Sequence, residues 1–481
     1  MKKEIVLYGA GKRCQDLCCI IRDCGIDVKC IVDNDANKAG GSICGYLIET
    51  PDALKRYNGL FCITIQDSVI KSQVRNMLFN VYKYEQSNEI GYFDLLIYAY
   101  CHSAEMKNII EKAYIPTETE FKVVFTCGQG FTLGGIEAWV ESVAVALVED
   151  GFGEIYVAAD NSSYEIPSVL EGRIERIPIN HILKFSKNNI FKIVLYLLQC
   201  LPCTVVINKI DEFMLAAVIL KKHFPTKIKI ISVIHNGTED NYSQNFELKN
   251  YIELYVAVSK DIVTAMRKRG IEERKIRHMT CPVQCQRQLN RSYTLDISQS
   301  VILGFAGRLE KKQKRMDLLL KLVEELEYRK INYKCIIAGD GTYKDIMTEF
   351  IVQHGLNDRV ILIGSVERKN IPLFWKEIDI CINISDFEGR SISIMEAMAN
   401  GAVPVVTETS GVHEDIKDGE NGFIVGIGDY KKIVEKVVYL EKNRELLPIM
   451  GRISHELIYS KGQMKEHVRV WKEILIETYI L

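Results

Sequence analysis

The sequence lacks several features that would place the protein in a specialised class. Lys plus Arg number 61 and Asp plus Glu number 63, so the net charge of −2 offers no basic excess for a nucleic-acid backbone. The longest apolar run, residues 193–207, contains Gln199 and Pro202 and is shorter than the roughly 20 residues that a membrane span requires. No segment repeats with the period of a solenoid. Nucleic acid is therefore not an expected partner, and no membrane-spanning helix is expected.

Disulfide and zinc frameworks are also missing, although the chain has 15 cysteines. The cysteines lie in apolar runs or crowd residues 14–30, which is typical of reduced, buried thiols. Cys200 and Cys203 form a CxxC, but no second Cys or His pair stands at zinc spacing. The amino terminus shows no apolar region followed by a small-residue cleavage site. We therefore expect a cytoplasmic protein without a metal ion.

One segment suggests a peripheral contact with the inner face of a membrane. Between Lys184 and Lys192, lysines alternate with Phe185 and Phe191. A mixture of basic and aromatic side chains can rest on an anionic lipid surface. The alternative is that this segment leads into a buried helix ending at Pro202.

The 481 residues correspond to about three domains at roughly 150 residues each. Three blocks each open with a β-branched run that leads into glycines, and each then alternates strand-like and helix-like stretches. This alternation predicts an α/β protein with parallel sheets covered by helices. We expect domains at residues 1–115, 119–290 and 295–465, followed by a helix at 466–481 that could pack back on the second domain. Paired domains of this kind bind ligands in the cleft at the carboxyl ends of their strands.

The densest motif is SDFEGRSISIMEAMANG, residues 385–401, between two strand-like runs. Glu388 lies in a loop at a strand end beside Gly389, whose missing side chain permits the close approach of a ligand. The following helix begins near Ser391, and its free amides suit a phosphate group. Glu396 lies on this helix, where it could equally form a capping box with Ser393.

Three further motifs also follow strand-like runs. Arg308 opens the basic stretch AGRLEKKQKRMDLLL, although a basic run alone often marks only a solvated face. Gly134 and Gly135 precede a helix and allow a tight turn or a close backbone approach. His235 in IISVIHNGTED lies at a strand end, where a histidine can be structural or functional.

Taken in order, these motifs resemble the family 4 retaining glycosyltransferases, from about residue 121 to the carboxyl terminus. The resemblance implies a GT-B architecture: two Rossmann-like, doubly wound domains facing a cleft, here preceded by a third small Rossmann-like domain. It implies transfer of a sugar from a nucleotide diphosphate sugar to a carbohydrate or lipid-linked acceptor, in surface polysaccharide or glycoconjugate synthesis. It implies no cofactor and no metal. An epimerase of the same fold and a non-catalytic scaffold that binds nucleotide sugars remain alternatives.

The resemblance also assigns roles to individual residues. Glu388 would hold hydroxyls of the donor sugar, Glu396 the ribose hydroxyls, and His235 would lie beside the sugar. Arg308 and a lysine would hold the diphosphate. In the spacing of the family motif, counting back from Asp317 places this lysine at Lys314, whereas counting forward from Arg308 reaches Gln313. Lys312 is also possible, and we choose Lys314. The remaining donor-binding candidates are Gly134, Gly135, Gly307, Gly389, Arg390, Ser391 and Ile392, with Arg390 and Ser391 standing where the family usually has an aromatic residue and a glycine.

The first block carries a partial dinucleotide fingerprint. Gly9 and Gly11 follow a strand and Asp33 ends the next, but Cys14 occupies the third glycine position. The block is similar to the Rossmann-like module that opens certain sugar O-acyltransferases. It is either a nucleotide or acyl-cofactor site formed by Gly9, Gly11 and Asp33, or a degenerate docking module.

Overall fold

The computed structural model describes residues 4–24, 26–57, 59–115, 122–128, 134–160, 167–181 and 184–480. Within them, three separate sheets form, one in each block of the sequence. The predicted connection between the first two blocks lies mostly in 116–121, outside the described residues.

The first domain is built on a five-stranded sheet of order β3-β4-β2-β1-β5, in which only the β3–β4 pair is antiparallel. Its two central strands consist mainly of apolar residues, as expected for strands covered on both faces. The strands are β1 (Glu4–Tyr8), β2 (Asp27–Val32), β3 (Ser42–Ile43), β4 (Tyr46–Glu49) and β5 (Leu60–Ile63), and the helices are α1 (Lys12–Asp23), α2 (Ser68–Asn80), α3 (Tyr92–His102) and α4 (Ala104–Glu111).

The second domain has a seven-stranded parallel sheet of order β12-β11-β10-β9-β6-β7-β8. The strand order reverses between β6 and β9, so ligands are expected at the carboxyl ends of these strands. The strands are β6 (Lys122–Cys127), β7 (Glu154–Ala159), β8 (Ile174–Arg176), β9 (Cys203–Ile207), β10 (Ile228–Ile234), β11 (Leu254–Ala257) and β12 (Ile276–His278), and the helices are α5 (Gly135–Glu149), α6 (Lys187–Cys200), α7 (Glu212–His223), α8 (Glu239–Glu247) and α9 (Lys260–Lys268).

The third domain has a six-stranded parallel sheet of order β15-β14-β13-β16-β17-β18, which reverses between β13 and β16. Both reversal points face the same cleft. The strands are β13 (Val301–Ala306), β14 (Tyr333–Ala338), β15 (Val360–Gly364), β16 (Ile380–Asn383), β17 (Val403–Thr407) and β18 (Phe423–Val425), and the helices are α10 (Met316–Tyr328), α11 (Lys344–Gln353), α12 (Ile371–Lys376), α13 (Ile392–Ala399), α14 (Val412–Asp415), α15 (Tyr430–Lys442), α16 (Leu446–Lys461) and α17 (Met464–Ile480).

The last helix, α17, returns to the second domain and packs against α5, β9 and β10. Trp471 lies fully buried, with ring centroids 5.8 Å from Phe125 and 5.5 Å from Trp139. Burying aromatic surface of this size is a large hydrophobic contribution. The helix thereby fastens the end of the chain to the domain that holds one wall of the cleft.

The first domain is docked on the second through aromatic and charged side chains. Helix α3 packs on α7, Phe93 meets Phe185 edge-on at 5.9 Å, and Tyr100 donates a hydrogen bond of 2.5 Å to the Phe185 carbonyl. Lys71 and Glu247 form an ion pair across the same interface. Phe185, an aromatic residue of the segment considered for membrane contact, is thus buried between domains. No helix in the described part of the chain is long and apolar enough to cross a bilayer.

Candidate active site

The cleft between the second and third domains holds two adjoining cavities of about 520 and 260 Å³. Residues following β6, β9 and β10 line one wall, and residues following β13, β14 and β16 line the other. The smaller cavity gathers all but one of the site residues predicted for these two domains: His235, Arg308, Lys314, Glu388, Gly134, Gly135, Gly307, Arg390, Ser391, Ile392 and Glu396. The remaining one, Gly389, lies in the same loop.

Glu388 is the centre of a buried polar cluster. Lys314 Nζ lies 2.5 Å from Glu388 Oε1, to which Ser385 Oγ also donates at 2.7 Å. Gln313 Nε2 donates to the other carboxylate oxygen at 3.3 Å. Lys314 and Gln313, the two residues reached by counting along the motif, therefore both contact Glu388. Of the two, only Lys314 supplies a positive charge. Buried charges are stable only when paired in this way.

Arg308 has a more accessible side chain than Arg368 and Lys314, which line the same smaller cavity, with 58% exposed against 22% and 11%. It follows β13 and donates to Gln313 Oε1 at 2.9 Å. The adjacent Gly307 carbonyl is approached closely by Gly339, whose φ of +142° and lack of a side chain permit the contact. A planar guanidinium held near a lysine suits a diphosphate.

Gly389 joins the two walls of the cleft. A Cβ atom at this position would lie 2.0 Å from the His235 carbonyl oxygen, and the Gly237 amide donates to the Glu388 carbonyl at 3.3 Å. The group that approaches Gly389 closely is therefore the backbone of the second domain, at His235. Its position couples the loop carrying Glu388 to the strand end carrying His235.

Arg390 makes its contacts within the protein. Its side chain is 1% exposed, and its guanidinium donates to both oxygens of Asp415, at 2.9 and 2.5 Å, and to Glu414 at 3.4 Å. Glu414 in turn accepts a bond of 2.6 Å from the Lys260 amide of the second domain. Arg390 thus ties its loop to α14 and, through Glu414, to α9.

Helix α13 presents its amino terminus to the cavity. Ser391 occupies the N-cap position, and Ser393 Oγ donates to the Ala306 carbonyl at 2.8 Å. Because the helix starts at Ile392, Ser393 is not the cap, and the capping box with Glu396 does not form. Burial raises the pKa of Glu396 to about 7, although nearby Arg368 opposes the shift. A carboxyl group that titrates near neutrality faces the cavity.

His235 extends from the end of β10 and is held by two neighbours. Its Nε2 lies 2.8 Å from Asn208 Oδ1, and its ring meets Trp139 edge-on at 4.9 Å. Burial lowers the pKa of His235 to about 3, so the imidazole is neutral. Asn208, Ser385 and Gly339 were not among the residues predicted from the sequence, and Gln313 was only the alternative to Lys314. Asn208 could have been found, because it stands at the end of the strand-like run TVVIN as His235 stands at the end of IISVIH.

The predicted residues of the first domain, Gly9, Gly11 and Asp33, lie together and line neither of the two cavities of this cleft. Asp33 accepts a hydrogen bond of 2.6 Å from the Ala10 amide and pairs with Lys38 at 3.1 Å. Gly9 has a φ of +106°, and a side chain there would meet Ile65. The carboxylate is thus used by the turn of its own domain, and a ligand for this domain stays a prediction.

Two known protein families match separate parts of the chain. Residues 288–456 match the family described as glycosyl transferases group 1, and residues 1–88 match the family described as C2185-like, N-terminal. The N-acetyl-alpha-D-glucosaminyl L-malate synthase of Bacillus anthracis is 22% identical over 54% of this chain and 71% of its own length. The lipopolysaccharide core biosynthesis mannosyltransferase LpsB of Rhizobium meliloti is 24% identical over 51% of this chain and 71% of its own length.

Among solved structures, the Anabaena protein HepE in complex with UDP-glucose aligns with a TM-score of 0.60. It is 16% identical and covers 74% of this chain and 99% of its own. At this identity the likeness concerns the fold, and it confirms the GT-B fold predicted from the sequence. The chain therefore carries a glycosyl transferases group 1 domain at residues 288–456 as part of a GT-B fold preceded by a further domain.

Proposed function

We propose that this protein transfers a sugar from a nucleotide diphosphate sugar to a hydroxyl acceptor and retains the anomeric configuration of the donor. The observation that carries the proposal is the meeting of Arg308, Lys314, Glu388 and Glu396 in one interdomain cavity. Two cations and a helix amino terminus suit a diphosphate, and carboxylates suit the hydroxyls of sugar and ribose. That HepE is solved with UDP-glucose, and that LpsB is a mannosyltransferase by name, agrees with this assignment.

The chemistry that we propose is the one implied by the resemblance to the family 4 retaining glycosyltransferases. The acceptor oxygen forms the new bond to the anomeric carbon as the bond to the diphosphate breaks. The departing diphosphate takes the acceptor proton, so no protein base is required. Arg308 and Lys314 stabilise the negative charge that develops on the diphosphate, while Glu388 positions the sugar. Approach of the two walls excludes water from the reacting atoms.

The biological setting that we propose is surface polysaccharide or glycoconjugate synthesis with a carbohydrate or lipid-linked acceptor. LpsB, by its name, acts in lipopolysaccharide core biosynthesis. We further propose that the reaction needs no cofactor or metal, and that contact with a membrane, if present, is peripheral and at its inner face.

Thermal unfolding in the presence of nucleotides tests the donor assignment. UDP, GDP and their sugars are compared, because a ligand at 100 times its Kd stabilises the folded state by about 2.7 kcal/mol. A shift with one nucleotide class is the expected result. No shift with any of them would argue against donor binding.

Turnover measurements separate the proposed reaction from the two alternatives. Nucleotide release that requires an acceptor would exclude an epimerase. Undetectable turnover of a bound donor with every acceptor would favour a scaffold.

Replacing Arg308 with alanine is expected to lower kcat by about 10²-fold, because the variant loses a cation that stabilises the negative charge developing on the diphosphate in the transition state. Arg329→Ala serves as a matched control, since Arg329 pairs with Glu325 on the surface of the same domain. The control should keep wild-type kcat. Equal losses in the two variants would show that Arg308 has no particular role in the reaction.

The nucleotide affinity is expected to increase from pH 6 to pH 8 if Glu396 holds the ribose. The carboxylate accepts two hydroxyl hydrogens only when ionised, and burial raises its pKa to about 7. Because the diphosphate also titrates near this range, the Glu396→Gln variant is measured in parallel by calorimetry. Binding by the variant should be weaker and should lose the part of the pH dependence that Glu396 causes. Identical pH profiles would exclude this role.

A further inference from the structure

Asn208 contacts both a backbone carbonyl and the candidate active-site histidine. Its Nδ2 donates to the Thr126 carbonyl at 3.0 Å, and its Oδ1 lies 2.8 Å from His235 Nε2. Asn208 is 5% exposed and Thr126 is 1% exposed. The three groups therefore form a hydrogen-bonded chain from the end of β6, through the end of β9, to the end of β10.

The direction of each hydrogen bond in this chain is determined by chemistry. A backbone carbonyl can only accept, so the Asn208 atom facing Thr126 must be the amide nitrogen. The atom facing His235 is then the amide oxygen, which also can only accept. His235 Nε2 must consequently carry the hydrogen, and in a neutral ring Nδ1 carries a lone pair.

Nδ1 remains accessible in the cavity. His235 lines the smaller cavity, and among the described residues Nδ1 makes no hydrogen bond and is not one of the buried unpartnered polar atoms. Trp139 fixes the ring from α5, and Gly389 contacts the His235 carbonyl from the opposite wall. The ring therefore presents an acceptor atom to whatever occupies the cleft.

We propose that Asn208 is a positioning residue that holds His235 as the Nε2–H tautomer, so that Nδ1 accepts a hydrogen bond from a hydroxyl of a bound sugar. The tautomer follows from the structure alone, whereas the hydroxyl partner rests on the proposed function. A protonated imidazole could not serve in this way, because its Nδ1 would be a donor. The charged groups that line the same cavity are Arg308, Lys314, Arg368, Glu388, Arg390 and Glu396.

Long-range ¹H–¹⁵N spectra of the full-length protein, labelled with ¹⁵N in its nine histidines, test the tautomer without any substrate. His235→Gln assigns the signals. In the wild type we expect His235 Nδ1 at the shift of an unprotonated nitrogen and Nε2 at that of a protonated one, unchanged from pH 8 to pH 5.5. A protonated Nδ1 or an averaged pair of signals would overturn the proposal.

Two substitutions of Asn208 separate positioning from structural support. Asn208→Leu removes the acceptor and should give a mixture of tautomers. Asn208→Asp keeps the acceptor oxygen that faces His235 but loses the amide hydrogen that Asn208 donates to the Thr126 carbonyl. It should retain the Nε2–H tautomer while returning the His235 pKa toward its ordinary value of about 6.5. Thermal unfolding of both variants checks that they are folded. An unchanged wild-type tautomer in Asn208→Leu would contradict a role for Asn208.

Turnover of the donor that stabilises the protein provides the functional readout. Asn208→Leu should lower kcat/KM by about tenfold, the effect of one neutral hydrogen bond. Asn208→Asp should retain a higher kcat/KM than Asn208→Leu at pH 8 and lose about tenfold by pH 5.5 as the imidazole takes a proton. A loss that does not depend on pH would reject the hydroxyl contact. Failure of any donor to bind would instead reject the proposed function and leave the spectroscopic result standing.

Discussion

The Lys314→Met variant is expected to lose about 10²–10³-fold in kcat, because it removes a cation from the developing charge of the leaving diphosphate. Lys314 and Glu388 are both less than 10% exposed, and their charged atoms lie 2.5 Å apart. Methionine keeps the length of the side chain but leaves the Glu388 carboxylate without its ionic partner. Breaking a buried pair costs about 3 kcal/mol, so the free energy of unfolding should also fall.

Steady-state kinetics and urea unfolding measure the two effects of Lys314→Met. Lys321→Met is the matched control, because Lys321 lies on the exposed face of α10, the helix that Lys314 precedes. The double variant Lys314→Met/Glu388→Gln should recover stability without recovering kcat, since it removes the uncompensated charge but not the need for a cation. Wild-type kcat in Lys314→Met would show that this lysine does not act on the diphosphate.

The Gly389→Ala variant is expected to keep its nucleotide affinity and lose about 10²-fold in kcat/KM. The added Cβ would lie 2.0 Å from the His235 carbonyl oxygen and 2.5 Å from its carbon. Non-bonded carbon contacts are normally about 3.5 Å or longer, so the walls of the cleft must separate by more than about 1 Å. A misplacement of about 1 Å between reacting groups costs about 10²-fold.

Calorimetry with the nucleotide and steady-state kinetics distinguish the two parts of this expectation. The nucleotide contacts proposed here lie on the third domain, whereas sugar transfer needs both walls. Gly426→Ala is the control, because a Cβ there has nothing within 4 Å. Undiminished kcat/KM in Gly389→Ala would mean that the approach of the His235 backbone to Gly389 is not needed for the reaction.

The position of the site at strand ends could be predicted from the sequence because the signals are local. Apolar β-branched runs mark buried parallel strands, and the residues directly after them meet at one edge of a sheet. Glu388, Arg308 and His235 each follow such a run, and the structure places them in one cavity. The order of the blocks likewise predicted paired doubly wound domains, and the resemblance of their motifs to a known family then implied the GT-B fold.

Contacts between distant segments could not be predicted in the same way. Arg390 pairs with Asp415, which is 25 residues away, and no pattern in either segment indicates the partner. Gly389 is a glycine in a loop after a strand, a setting that fits a ligand as well as the His235 backbone. The role of Asn208 depends on the carbonyl of Thr126, 82 residues earlier. Such contacts depend on how the sheets pack, which the local pattern does not encode.

The anomeric configuration of the transferred sugar in the product is the most direct test of the proposed reaction. The wild-type protein is incubated with the nucleotide sugar that stabilises it and with the hydroxyl acceptor on which nucleotide release depends, and ¹H NMR identifies the anomeric proton of the new glycosidic bond. We expect the product to have the configuration of the donor, with Lys314→Met forming little product. Formation of the opposite anomer, or no consumption of any bound donor with any acceptor, would contradict a retaining glycosyl transfer at this cleft.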